Sequence, residues 1–413
     1  MSRIDDLLRQ LSPNGVRYRS LGDLGTIFGG LTGKSKTDFS GGNARYISYV
    51  NVFNNLAVNV DADDFVRIEP GEKQRTLTRG DILFTGSSET DDEVAMSSVV
   101  TAEVDEPLYL NSFTIGFRLH DPNILDPGFT KHLFRSGAIR KQLVRTASGV
   151  TRYNVSKARL AKVVIPIPPV EVQHEIIRVL DPFCELEAAL EAELEARQLQ
   201  YSYYRDLLMT FGDDVKWLPM GEVATIVRGA SPRPIQAFLT DDEDGVPWIK
   251  IGDVPANGKY ITTAAERVTK LGAAKSRMVH PGDFVLSNSM SFGRPYISKI
   301  DGAIHDGWLA ISNFDKSFSP DFLYHVLRSA PVQREFARRA GASTVSNLNA
   351  DIVRAVLVPV PELHRQERIV EILDNFEILV NSHSHGVPAE LRARRTQYEH
   401  YRDRLLTFQE AAA

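Results

Sequence analysis

The sequence predicts an α+β protein in which two globular domains, related by a pseudo-twofold, are joined by long helices that form an antiparallel coiled coil. Three observations carry that expectation. The chain repeats itself along its length, its globular stretches are strings of short β-rich runs closed by a helical pattern, and each copy ends in a long segment with one apolar stripe. At 413 residues it also exceeds the roughly 300 at which a single core stops growing.

The repeat sets the boundaries. IPIPPVEVQHEIIRVLDPF (165–183) matches VPVPELHRQERIVEILDNF (358–376), with Gln173 over Gln366 and Asp181 over Asp374. AELEARQLQYSYYRDLL (192–208) is echoed by AELRARRTQYEHYRDRLL (389–406), DPGFTKHLFRS (126–136) by SPDFLYHVLRS (319–329), and RGDILFTGSS (79–88) by PGDFVLSNSM (281–290). YISYVNV (46–52) lies over WIKIGDV (248–254), and SLGDLGTIFGG (20–30) over PMGEVATIVRG (219–229). Between these matched pieces the copies share little, so a constant scaffold carries something that differs.

In chain order, residues 1–165 form the first globular domain, with strands expected in ARYISYV, GDILFTG and TIGFRL and a helical close in FTKHLFRSGAIRKQLV. Residues 166–212 form a helical spacer whose apolar stripe includes Ile176, Leu180, Phe183, Leu194, Tyr201, Tyr204 and Leu208. About 40 helical residues would span roughly 60 Å, more than a compact domain needs for itself. Residues 213–358 repeat the globular pattern, with VPWIKIG, GDFVLSN and WLAIS. Residues 359–413 repeat the spacer, with Leu391, Tyr398, Tyr401 and Leu405 matching Leu194, Tyr201, Tyr204 and Leu208, so that the two stripes are expected to pack on each other. The second copy inserts His385, Gly386, Val387 and Pro388. Glycine suits a helix end and proline a first turn, so a break is expected there and an unbroken helix in copy one.

Composition excludes several classes. A 43% hydrophobic and 24% charged chain is neither disordered nor membrane-spanning, since no apolar run approaches the roughly 20 residues a bilayer requires. The opening MSRIDDLLRQLSPNG has acids in its first turn and does not resemble a secretory leader. Cys184 is the one cysteine, which rules out an internal disulfide and fits a cytoplasmic protein. The formal net charge is −5, yet the window 127–170 holds nine Lys and Arg and no acid, a balance that can attract phosphate.

Candidate catalytic motifs fail on inspection. GGLTGKS (29–35) has the wrong glycine spacing for a P-loop, and IPPV (167–170) lacks the amide and the aromatic of an adenine methyltransferase loop. TDDEDG (240–245) lacks calcium-ligand carboxylates at Thr240 and Ile251, and His383 and His385, two apart, would point to different helix faces. No catalytic residue and no metal site is expected.

The full-length pattern of IPIPPVEVQHEIIRVLD, VPVPELHRQERIVEILD, QYSYYRDLLMTF and GVPAELRARRTQYEHYRDRLLTF resembles the DNA specificity subunits of type I restriction-modification systems, and the opening IDDLLRQLSPNGVRYRSLGDLG matches too. The resemblance implies two target-recognition domains, each reading one half of a bipartite site in double-stranded DNA. It further implies a coiled-coil spacer that docks two methylation subunits, with restriction and translocase subunits completing the complex. S-adenosylmethionine, ATP and Mg would then belong to those partners, none to this chain. A non-catalytic duplicated adaptor of a methylation-only or other DNA-processing complex is the alternative. Within that frame, side-chain chemistry and framework position suggest Lys34, Lys36, Arg145, Arg152 and Asn154 for phosphate contacts in the first domain, with Arg228, Arg233, Arg294, Arg338 and Asn347 in the second. Arg45, Asn51, Ser87 and Asn111, then Lys250, Asp253, Asn288 and His305, are the candidates for base contact.

Overall fold

The computed structural model describes residues 3–254, 258–288, 293–340, 347–381 and 385–411. Contacts divide it into two compact units, Met1–Ala189 with Arg392–Ala413, and Leu190–Leu391. Both divisions fall inside helices, because one helix runs Val170–Leu208 and the last runs Val387–Leu405. Each unit therefore combines a globular part, the helix that follows it, and a helical piece from the other copy of the repeat.

In the first unit the main sheet orders Gly25–Gly29, Thr114–Leu119, Ile82–Thr85 and Ser97–Val99, all antiparallel. The second unit repeats that order with Thr225–Arg228, Trp308–Ser312, Phe284–Ser287 and Pro295–Ser298, and adds Tyr260–Ile261 in parallel. GDILF and GDFVL are apolar on both faces because each of these strands is covered twice. Ile82 and Phe84 join the core that meets the helices, while Leu83 joins a second core toward the variable loops. Phe284 and Leu286 divide from Val285 in the same way. Each globular part closes where its first strand pairs with its last, Arg17–Ser20 with Val164–Ile167 and Lys216–Pro219 with Leu357–Val360. The chain thus enters and leaves beside itself, directly before a long helix.

The repeated DPGF and SPDF stretches are one device for starting a helix. Asp126 accepts from the Gly128 amide ahead of Pro127–Leu133, Ser319 accepts from the Phe322 amide ahead of Pro320–Arg328, and each has proline in its first turn. The matched glutamines tie these starts to the long helices. Buried Gln173 accepts from Asp126 N at 2.8 Å and donates to the carbonyls of Ile124 (3.0 Å) and Pro168 (2.9 Å). Gln366 makes the same three bonds, to Ser319 N (2.9 Å), Ser317 O (2.8 Å) and Pro361 O (2.8 Å).

The YxxYRD stretches act on the same helices. Tyr398 shares a 2.8 Å hydrogen bond with Nδ1 of His132, whose Nε2 meets Asp181 at 2.7 Å. In the second unit Tyr201 meets His325 at 3.3 Å, and His325 meets Asp374 at 2.9 Å. Arg402 and Arg205 lie over the rings of Tyr398 and Tyr201. Asp403 accepts from Gly137 N and Asp206 from Ala330 N, each at 3.0 Å, at the starts of Gly137–Val144 and Ala330–Ala340. Within each unit the two stripes meet, as expected of an antiparallel pair. Tyr398 and Tyr401 meet Phe183, and Tyr204 stacks on Phe376 at 5.5 Å, because antiparallel helices bring a tyrosine of one copy to the phenylalanine of the other. Arg395 pairing with Glu187, while residues beyond 395 meet Phe183, gives the same direction.

The second copy does break, with helix Leu363–Asn381 ending before Val387–Leu405 begins. Gly386 holds φ at +77, and a Cβ there would sit 2.6 Å from the Leu379 carbonyl. Copy one runs unbroken for 39 residues through Pro182. His383 lies outside the described residues.

Two outcomes test these contacts. Gln173→Leu should strand buried backbone groups and cost the first unit about 3 kcal/mol, read by hydrogen exchange of its central sheet. Burial holds the His132 imidazole below its ordinary value, so near pH 6.5 the unfolded chain binds a proton that the folded chain refuses. Stability from this group is complete above about pH 6.5 and is lost as pH falls through the folded value, a slope that His132→Gln should flatten.

Candidate nucleic-acid interface

In the first unit an open groove of about 750 Å³ lies at the loop end of the sheet. Its wall begins with the short helix Tyr49–Asn54, whose N-terminus Ser48 caps. Tyr49 donates its hydroxyl to the Ser87 carbonyl at 2.7 Å and stacks on Phe53, which seats that helix over strand Ser87–Ser88. Across the groove Asn111 accepts the Phe113 amide through Oδ1 at 2.8 Å, an Asx turn that lifts the Phe113 ring to 60% exposure. Arg152, just before strand Tyr153–Val155, donates to the Ser87 hydroxyl through Nε (3.3 Å) and Nη2 (2.9 Å), with its guanidinium carbon 6.0 Å from the Phe113 ring centre. Glu89 and Glu93 complete the rim. The structure therefore brings Ser87, Asn111 and Arg152 together.

The second unit gathers a different set at the matching loops. Gly30 packs against the Asn111 carbonyl in one unit and Gly229 against the His305 carbonyl in the other, so Asn111 and His305 hold corresponding places. Around His305 the hub is Asp306. Its backbone carbonyl accepts Arg228 Nε (3.1 Å) and Asn288 Nδ2 (2.8 Å), while its carboxylate accepts Ser231 Oγ at 2.7 Å and lies 3.9 Å from Arg233. The Ser231 hydroxyl holds the Asp306 carboxyl below its usual range, and burial lowers the His305 imidazole, so the hub carries one fixed anion beside a neutral ring at pH 7. His305 Nδ1 accepts from Gly307 N at 2.7 Å. Arg228, Arg233, Asn288 and His305 are brought together here.

Other candidates serve the fold as placed. The Lys34 ammonium is 7% exposed against Glu72, and with Gln74 it holds the Glu72 carboxyl down to about 2. Arg45 donates to the carbonyls of Asp61 and Ala62 and lies over Phe65. Buried Asn51 spends both ends of its amide on Asn59, at 2.8 and 3.0 Å. Lys250 pairs with Glu266 while Asp253 caps its amide, and Arg338 pairs with Glu335. Lys36, Arg145, Asn154, Arg294 and Asn347 are exposed, with Asn154 also donating to the Arg152 carbonyl at 3.3 Å.

Of the helix candidates, Tyr201, Leu391 and Tyr398 are buried, Leu194, Leu208 and Leu405 pack partly buried against the cores, and Tyr204 and Tyr401 keep an exposed edge. A different stripe faces out. Leu199, Tyr203 and Leu207, four apart, are 67, 65 and 52% exposed.

His325, Asp374 and Glu377 bring ligand atoms within 4.8 Å of one another, the spacing of a cation site. Cationic side chains already occupy it, since Lys259 meets Asp374 at 3.5 Å and Asp321 at 2.8 Å, and Arg328 meets Glu377 at 2.6 Å. Cys184 is no nucleophile at neutral pH, because burial pushes its thiol up to about 11. No described helix is long and apolar enough to cross a membrane.

Sequence reasoning missed Tyr49, Val50, Phe53 and Phe113 on the groove. YVNVF reads as core, and an exposed phenylalanine in a loop carries no periodic signal.

Two segments, 13–196 and 213–393, match a family model described as the type I restriction modification DNA specificity domain. The specificity subunit of the type I restriction enzyme EcoR124I/EcoR124II from Escherichia coli is 32% identical over 269 residues, 62% of this chain and 65% of that one. The match thus spans just under two thirds of that relative. A putative type I restriction enzyme specificity subunit of Haemophilus influenzae is 31% identical over 274 residues, covering 63% of this chain and 68% of its own. A solved chain described in terms of complex assembly and conformational transition of the type I R-M system shares the fold at TM-score 0.61 and 18% identity, over 95% of this chain and 98% of that one.

Proposed function

The chain belongs to the type I restriction-modification DNA specificity family, and from that premise we propose that it is the non-catalytic, sequence-reading subunit of such a complex. Each unit reads one half of a bipartite site in double-stranded DNA. The observation that carries this reading is the contrast between scaffold and loops. Gln173 and Gln366 make identical bonds, as do Asp403 and Asp206, whereas the corresponding loop positions hold Ser87, Asn111 and Arg152 in one unit and the Asp306 hub in the other. Two different sets of donors on two like frames suit two different half-sites.

Two methylation subunits dock on the helices, and restriction and translocase subunits join them. The exposed Leu199, Tyr203 and Leu207 stripe supports a docking role, since three large apolar side chains on one helix face favour a partner over water. S-adenosylmethionine, ATP and Mg act in those partners, in the cytoplasm.

The test is to map methylated adenines in cells carrying this chain with its methylation partners. A two-part motif is expected, and exchanging residues 213–358 for those of another specificity subunit should alter one half only. Loss of affinity for the motif duplex by roughly a thousandfold between about 50 and 200 mM salt is expected if six or so phosphates are engaged. Methyl transfer by the purified chain alone would overturn the non-catalytic assignment.

A further inference from the structure

Arg152 does not stand in the first unit as a free cation. Strand Tyr153–Val155 pairs antiparallel with Ser87–Ser88, placing Asn154 opposite Ser87 and Arg152 at the open end of the ladder. Ser87 is 6% exposed, so its hydroxyl is a fixed interior acceptor, and the guanidinium is anchored on it through Nε and Nη2. A guanidinium carries more N–H donors than one hydroxyl can accept. The edge left over is the one formed by Nη1 with the second hydrogen of Nη2, a planar fork that matches the O6 and N7 acceptors of guanine.

Three neighbours argue for a base over a phosphate. Glu89 and Glu93 share the groove with Arg152, so the groove has no excess positive charge with which to hold the DNA backbone. Phe113 then stands beside the guanidinium, 60% exposed, as an apolar surface that phosphate does not need and that a pyrimidine methyl does.

We propose that Arg152 reads a guanine in the major groove through this free fork, with Ser87 as its positioning residue and Phe113 against the 5-methyl group of an adjacent thymine. The proposal rests on the DNA-reading function above and names the chemistry of one position in the half-site of the first unit.

The test uses the full chain in complex with its methylation partners and a pool of duplexes randomised across the site. The bound pool should hold an invariant guanine in one half-site with thymine beside it. Arg152→Ala should reduce discrimination at that guanine roughly 5- to 150-fold and leave other positions as they were. Arg152→Lys keeps the charge and loses the fork, so it should lose the same discrimination with an unchanged salt dependence. Ser87→Ala should weaken that discrimination in part without lowering affinity for unrelated duplex. Phe113→Ala should abolish the penalty for replacing the adjacent thymine by uracil. Uniform weakening of all sequences by Arg152→Ala, with the salt slope reduced by about one, would make Arg152 a phosphate contact and overturn the proposal while DNA reading stands. A wild-type pool without any selected sequence would instead remove the functional reading beneath it.

Discussion

The clasp built from the YxxYRD stretches is the contact on which the rest depends. Its first tyrosine hydrogen-bonds a buried histidine, its second packs on a phenylalanine, its arginine covers the first ring, and its aspartate receives the amide at the start of a short helix. The histidine, the phenylalanine and the amide lie on elements of the globular part or on the helix leaving it, while the arginine braces the first tyrosine from within its own helix. A helix held at three chemically different points has one register. An apolar stripe alone would leave it free to slip by a turn, because apolar contact is non-directional.

This clasp explains why the repeat is kept so closely where it is kept. In the first unit the clasping residues come from the second copy, and in the second unit they come from the first. A change to Tyr398 therefore acts on His132, far away in sequence. Both copies must retain the tyrosine, the histidine and the aspartate, since each supplies half of what the other needs. The bonds of Arg152 to Ser87 and of Ser231 to Asp306, by contrast, each stay within one copy of the repeat. The loops that carry them are free to differ, and they do.

Periodicity and self-similarity made the helices, the break near Gly386, the helix-starting DPGF and SPDF, and the paired glutamines legible, because each is a local or repeated pattern. The antiparallel packing of the stripes was legible in the same way, but the histidine that each first tyrosine bonds was not, because it lies on a distant element with no periodic signal. Side-chain chemistry named candidate residues in the sequence, but not which of them the fold leaves available. Ser87, Asn111 and Arg152 gather on one groove, whereas Asn51, of the same polar class as Asn111, is consumed by Asn59 eight residues away. Sequence gives the donor inventory of a side chain, and only the fold says which donors the protein has already spent.

The same distinction bears on the proposed function, in which a chain of net charge −5 would read a polyanion. Total charge governs long-range attraction, which salt screens within about 10 Å. At contact, what counts is the local arrangement of donors. Asp306 illustrates the point, since its ionised carboxylate and its carbonyl fix Ser231, Arg228 and Asn288 at one loop. An anion that orders donors around itself gives up some attraction for phosphate and gains geometry. That exchange would suit the proposed reading of base pairs, because discrimination depends on placing donors within a hydrogen bond of a base edge.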